Sequence, residues 1–200
     1  MDPVSPWSTH TLQSRLSELR SRFGNTPDGE PYLPRPKHGY TLHAGVRSDW
    51  DAFQELATRG LSAGPARGIP DLEHALGLVR GKPFDGQDYP WADSVQQEML
   101  SRITDIAHTL AAWHSEGDTP DMDAARHAAL RGLDIEETAE VLYRDWMNIE
   151  WAIGNTAGVR KAIARMQQIA RTYDISLEPI TEQLIALVLS ESPTPAPAQR

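Results

Sequence analysis

Apolar residues recur at helical spacing along most of this chain, and the breaks in that spacing divide it into segments. Leu12, Leu16, Leu19 and Phe23 step by four, three and four, which predicts one amphipathic helix over 8–24. Ser8 or Thr9 can cap its start, and Gly24 can end it with a backbone that only glycine adopts cheaply. Residues 31–43 read differently. Two short extended pieces flank a basic tip with Arg35 and Lys37, which predicts a β-hairpin that Pro31, Pro34 and Pro36 confine to an edge.

From Ser48 the helical period takes over. Trp50, Phe53, Leu56 and Ala57 predict a helix from Asp49 to Gly60, and a Gly/Pro-rich linker follows over 60–70. Leu72, Ala75, Leu76 and Val79 form the next stripe. The stretch from Gly81 to Trp91 is too rich in Gly and Pro for regular helix and predicts an ordered loop. Val95, Met99, Ile103, Ile106, Leu110 and Trp113 make the strongest stripe, with Asp93 and Gln96 at capping-box spacing. Pro120 opens a helix to Arg131. Asp134 and Glu137 repeat the capping-box spacing before a helix over 136–153, whose buried stripe is Trp146, Ile149 and Ile153. Two more stripes follow, from Val159 to Tyr173 and from Ile180 to Val188. Residues 191–200, with Pro193, Pro195 and Pro197, predict a disordered tail. The turns Gly117-Asp118 and Gly154-Asn155 lie 37 positions apart. That spacing suggests tetratricopeptide-like helix pairs, which bury their apolar faces by stacking on neighbours. The expected fold is all-α: stacked helical hairpins with a small N-terminal helix and hairpin.

Composition narrows the function classes. The 200 residues are 40% hydrophobic and 24% charged, the balance of a globular chain, and no apolar run is long enough to span a bilayer. Residues 1–7 carry no basic flank followed by an apolar stretch, so no secretory signal is visible. With no cysteine there are no disulfides, thiolate metal sites or cysteine nucleophiles, and a cytoplasmic location is expected. The net charge of −9 is uneven. Residues 1–47 hold six basic side chains against four acids, whereas the remainder holds 13 against 24. Only the N-terminal part has the sign for contact with a duplex.

Catalytic and metal-binding patterns are missing from the sequence. It has no Gly-x-Ser-x-Gly elbow, no phosphate-binding loop ending in Lys-Ser/Thr and no His-Glu-x-x-His. His108 and His114 are six apart, so they point in different directions on a helix. Asp118, Asp121 and Asp123 fail the calcium-loop spacing, which requires Gly where Asp123 stands and Glu where Ala129 stands. Neither enzymatic activity nor a cofactor is expected. Trp151 is the best candidate for an interaction contact. At 100° per residue it lies about 200° from Ile153, outside the expected seam, with Arg144 and Glu150 as neighbours in a groove beside the 136–153 helix.

Several short segments, in order, resemble the bacterial transcriptional activator domain of actinobacterial antibiotic-regulator proteins. They include Asp49 and Phe53, Leu76-Gly77-Leu78-Val79-Arg80-Gly81-Lys82-Pro83-Phe84, and Tyr89-Pro90-Trp91. Gly117-Asp118, Ala128 to Leu133, Glu140-Val141-Leu142-Tyr143-Arg144 with Met147, and Leu177-Glu178-Pro179 follow. Upstream, Thr11 to Gly24 is similar to the recognition helix of the winged helix-turn-helix preceding that domain, with residues 31–43 as its wing. The resemblance implies a partial DNA-binding remnant over 1–47, an activator domain over 48–190, and a role in transcription regulation. It places Arg15, Arg20, Arg22, Arg35 and Lys37 toward DNA. The chain starts almost at the recognition helix, so DNA binding by this chain is expected to be weak. The implied partners are the transcription machinery or a DNA-binding domain of the same protein, and homodimerisation fits as well. Asp49-Trp50, Gln97-Glu98-Met99 and Trp146-Met147 also resemble activator domains that end longer proteins with membrane-spanning and LysM regions. That implies, as the alternative, an adaptor module unrelated to DNA.

Overall fold

The computed structural model describes residues 8–35 and 40–190. Among these residues it is all-α, with eight α-helices and no strand: α1 (Thr9–Phe23), α2 (Asp49–Ala63), α3 (Pro65–Leu78), α4 (Asp93–Ser115), α5 (Met122–Ile135), α6 (Glu140–Ala152), α7 (Thr156–Tyr173) and α8 (Pro179–Ser190). The chain forms two compact units, Met1–Ala52 and Phe53–Arg200.

In the first unit, the Ser8 hydroxyl accepts from the Thr11 backbone and caps α1, and Gly24 ends the helix at φ 68°. None of the α1 side chains is buried. The expected hairpin over 31–43 does not appear as strands. Among the described residues its flanks meet through the bond from the His43 amide to the Tyr32 carbonyl (2.8 Å), and Asn25 and Pro31 form an isolated bridge. Prolines at 31 and 34 remove the donors that a ladder needs. Residues 36–39, including Lys37 at the expected tip, lie outside the described residues.

In the second unit each helix packs on its neighbour in sequence from α3 through α7, and α4 and α8 also touch α6. The centre is apolar: Phe53, Leu72, Ile106, Leu110, Leu133, Leu142, Met147 and Met166 are all fully buried. The expected 60–70 linker is instead a tight corner leading into α3. Pro65 takes a first-turn position, where a missing N–H costs nothing. Pro70 lies inside the helix on the exposed side, so water can satisfy the carbonyl it leaves unpaired. Gly60 and Gly68 bring the two backbones into contact: a Cβ on Gly68 would stand 2.0 Å from the Gly60 carbonyl oxygen.

Both expected capping boxes are absent. Helix α4 starts after Ala92 with no side-chain cap. Asp134 falls in the last turn of α5, and the Glu136 carboxylate receives the Thr138 amide at 3.0 Å in the connection to α6. A reciprocal pair does form where α2 begins. The Ser48 amide donates to Asp51 Oδ2 (2.8 Å), and the Asp51 amide donates to Ser48 Oγ (3.1 Å).

Candidate functional site

The basic side chains of α1 serve different purposes. Arg15 and Arg22 are exposed, yet both lean on Glu18, at 3.4 and 2.8 Å. Glu18 therefore cancels part of the positive charge that phosphates would meet. Arg20 turns inward. Its Nε donates to the carbonyl of buried Leu33 (3.0 Å), and its guanidinium carbon lies 6.0 Å from the centre of the Tyr40 ring. Arg20 thus clasps the helix to the segment after it. Arg35 is exposed, and Lys37 lies outside the described residues.

The expected contacts on α6 separate just as clearly. Trp146 and Ile149 are buried as expected, but Ile153 is the helix C-cap and is 41% exposed. The chain leaves the helix there, so helical periodicity no longer applies. Glu150 is no surface contact: it is 3% exposed and saturated with hydrogen bonds. Arg126 from α5 grips it in bidentate fashion (2.6 and 3.3 Å), and Trp146 Nε1 (3.0 Å) and Asn155 Nδ2 (2.7 Å) also donate. Burial pushes the Glu150 pKa up, but the bonds from Arg126, Asn155 and Trp146 outweigh it and hold the carboxyl below its ordinary range. Gly158 leaves room for this carboxylate, because a Cβ there would lie 2.5 Å from Glu150 Oε2. Arg144 is mostly covered and bonds Glu178 (2.6 Å) and the buried Thr181 hydroxyl (2.8 Å), tying α6 to α8. Of the three expected contacts Glu150 is buried, Arg144 is mostly covered and engaged with α8, and Trp151 is half-buried.

A cleft of about 300 Å³ runs beside α6, between the end of α4 and the start of α5, lined by Ala111, Ser115, Met122, Asp145, Asn148 and Ala152 among others. Trp151 does not line it. A second groove of about 220 Å³ holds His114, His127, Glu73 and Arg131 over an apolar floor of Leu76 and Leu110. His114 Nε2 lies 3.1 Å from Glu73, and an Arg131 Nη2 donates to the Val79 carbonyl, so part of this polar rim is already engaged. No group of three or more His, Asp or Glu could hold a metal ion among the described residues.

Three polar joints were not anticipated from sequence. His108 on α4 bonds Asp145 on α6 at 2.7 Å, and this bond raises the imidazole above its ordinary pKa. Glu140 at the start of α6 receives the Glu178 amide at 2.9 and 3.1 Å. Glu137 accepts from the Tyr173 hydroxyl (2.8 Å) and from Lys82 (3.4 Å), and the tyrosine bond leads in holding its carboxyl low. The partners are separated by 36 to 55 positions, so no local pattern exposes them. Glu150 could have been found: it lies four residues after Trp146, on the seam.

No protein-family model matches the chain, and no curated protein matches it. No helix is long and apolar enough to cross a membrane among the described residues.

Proposed function

We propose that this chain is a non-catalytic regulatory module of a bacterial transcriptional regulator, in which a tetratricopeptide-like helical array couples a DNA-binding head to another protein. The observation that carries this reading is where the family-like residues fall. Leu76 to Phe84 leads out of α3 into the loop before α4, and Gly117, at φ 92°, makes the turn between α4 and α5. Leu142, Tyr143 and Met147 are core residues of α6, and Glu178 and Pro179 open α8. Segments that are individually weak in sequence thus occupy the joints and core of one continuous stack, as a shared architecture requires. Among the described candidates Arg15, Arg22 and Arg35 are exposed to meet phosphate, and with Glu18 between the first two they support weak contact without sequence preference.

The test is chromatin occupancy of the tagged protein expressed from its own locus, alongside titration of the purified chain against its upstream DNA. Enrichment at discrete promoters, with weak and salt-sensitive binding by the purified chain, is the expected result. Occupancy at background level would replace this reading with a scaffold unrelated to DNA. Nanomolar sequence-specific binding by the purified chain would show that the basic segment suffices without further DNA-binding elements.

A further inference from the structure

The loop between α3 and α4 displays three aromatic rings that the core does not use. Phe84, Tyr89 and Trp91 are 37, 41 and 75% exposed. Their centroids lie 5.8 to 6.3 Å apart, with Phe84 edge-on to both partners. Such rings gain most of their energy from burial, so a cluster left in water is a surface available to a partner.

The exposure does not come from a loose loop. Pro83 and Ala92, which flank the rings, are buried. Between them the Asp85 amide bonds the Lys82 carbonyl (3.0 Å), Gln87 bonds Phe84 (3.1 Å) and Ala92 bonds Tyr89 (2.7 Å). The last closes a turn with Pro90 and Trp91 at its corners, which fixes where Trp91 projects. Phe84 and Asp85 both hold left-handed backbone angles (φ 55° and 56°), a conformation that costs non-glycine residues energy.

Charge selects the partner. From Pro83 to Ser101 the chain carries Asp85, Asp88, Asp93 and Glu98 and no basic residue. All four acids are exposed, and three of them stand beside the rings in sequence: Asp85 follows Phe84, Asp88 precedes Tyr89, and Asp93 comes two after Trp91. The nearest preceding cation, Lys82, is turned to Glu137. Aromatic faces attract cations through their quadrupole, and carboxylates beside them add attraction of the same sign. We propose that the Phe84–Tyr89–Trp91 cluster is a docking surface for an arginine- or lysine-containing segment of a partner protein. One cationic side chain lies on the Trp91 and Tyr89 rings, and its neighbours face Asp85 and Asp88. This surface takes a basic segment whether or not the chain acts at promoters.

The probe is a fluorescein-labelled Gly-Arg repeat peptide, titrated with the full chain by anisotropy at low and physiological salt. A neutral Gly-Gln peptide and a neutral oligosaccharide serve as controls. Saturable binding of the arginine peptide alone is expected. Trp91→Ala, which leaves the net charge unchanged, should weaken it about tenfold, and Trp91→Phe should restore part of the loss. Asp85→Asn with Asp88→Asn should weaken it and flatten its salt dependence. Since Trp91 is largely exposed, the melting temperature of Trp91→Ala should equal that of the parent. Three results overturn the proposal. One is unchanged affinity in Trp91→Ala, which would leave only attraction to a chain of net −9. Another is equal binding of either neutral control. The third is no peptide binding together with self-association that Trp91→Ala abolishes, which would assign the surface to a second copy.

Discussion

Glu150 shows how one residue can look like a contact and act as a keystone. A carboxylate covered to this degree is tolerable only while Arg126, Trp146 and Asn155 all donate to it. Glu150→Ala takes the main partner from the Arg126 guanidinium, which keeps Asp123 and some solvent, and is expected to cost about 1 to 3 kcal/mol in chemical unfolding. Glu150→Gln keeps the shape and should lose less. Because the folded-state pKa of Glu150 is lowered from 4.5, its contribution is present above that value and is lost as pH falls through the folded pKa. Acid titration of stability should therefore be steeper in the parent than in Glu150→Gln. His108 has the opposite sign. Its bond to Asp145 leads in raising the imidazole pKa from 6.5, burial and Arg144 oppose it, and Asp105 assists. That stabilisation is complete below 6.5 and fades as pH rises through the folded pKa. The imidazole is partly exposed, so the effect should be modest. The melting-temperature gap between the parent and His108→Gln should be wider at pH 5.5 than at pH 9, and a gap that does not change with pH would remove the charge from the bond. Helical spacing placed Trp146 and Ile149 in the core correctly, because within a helix the spacing is the geometry. It could not pair His108 with Asp145, since that contact depends on how two helices cross.

At the scale of elements, the chain was legible wherever an apolar stripe was long and misleading at the ends. The stripes of α4, α6 and α7 lie in helices with buried faces, because burial itself sets their period. The caps at Asp93 and Asp134 failed because the capping spacing is short and recurs by chance, and where a helix begins is decided by the packing around it. The 60–70 segment failed for a related reason. Its glycines and prolines suggest a linker, whereas Gly60 and Gly68 serve close approach between α2 and α3. Gly68→Ala presses a methyl on a backbone oxygen that no rotamer change can move, so a loss of about 1 to 3 kcal/mol is expected. Gly77 sits in the same helix with nothing within 4 Å of an added Cβ. Gly77→Ala should therefore stabilise by about 0.4 to 1 kcal/mol, through a less flexible unfolded chain and better helix propensity. Denaturant midpoints of the two variants measure the contrast. Equal shifts would mean that propensity and not helix contact governs α3.

At the scale of the whole molecule, the two units differ in how they are held. In the first, α1 has no buried side chain, and its basic residues are partly taken up by Glu18 and the Leu33 carbonyl. The second has a continuous apolar core from α2 to α8, crossed by polar joints at Glu150, His108 and Glu137. Cooperativity comes from a shared core, so the second unit has what it needs to unfold as one body. Removing residues 1–47 keeps Ser48 and its exchange with Asp51, so the start of α2 stays capped. The shortened chain should retain its helical circular dichroism per described helix and melt in a single transition. Its net charge becomes −11, two more negative than the parent, so added salt should raise its melting temperature slightly more than it raises the parent's. A broad, non-cooperative melt at every salt concentration would mean that the segment before Ser48 completes the core, and that the expected boundary at 47/48 cuts through a single folding unit.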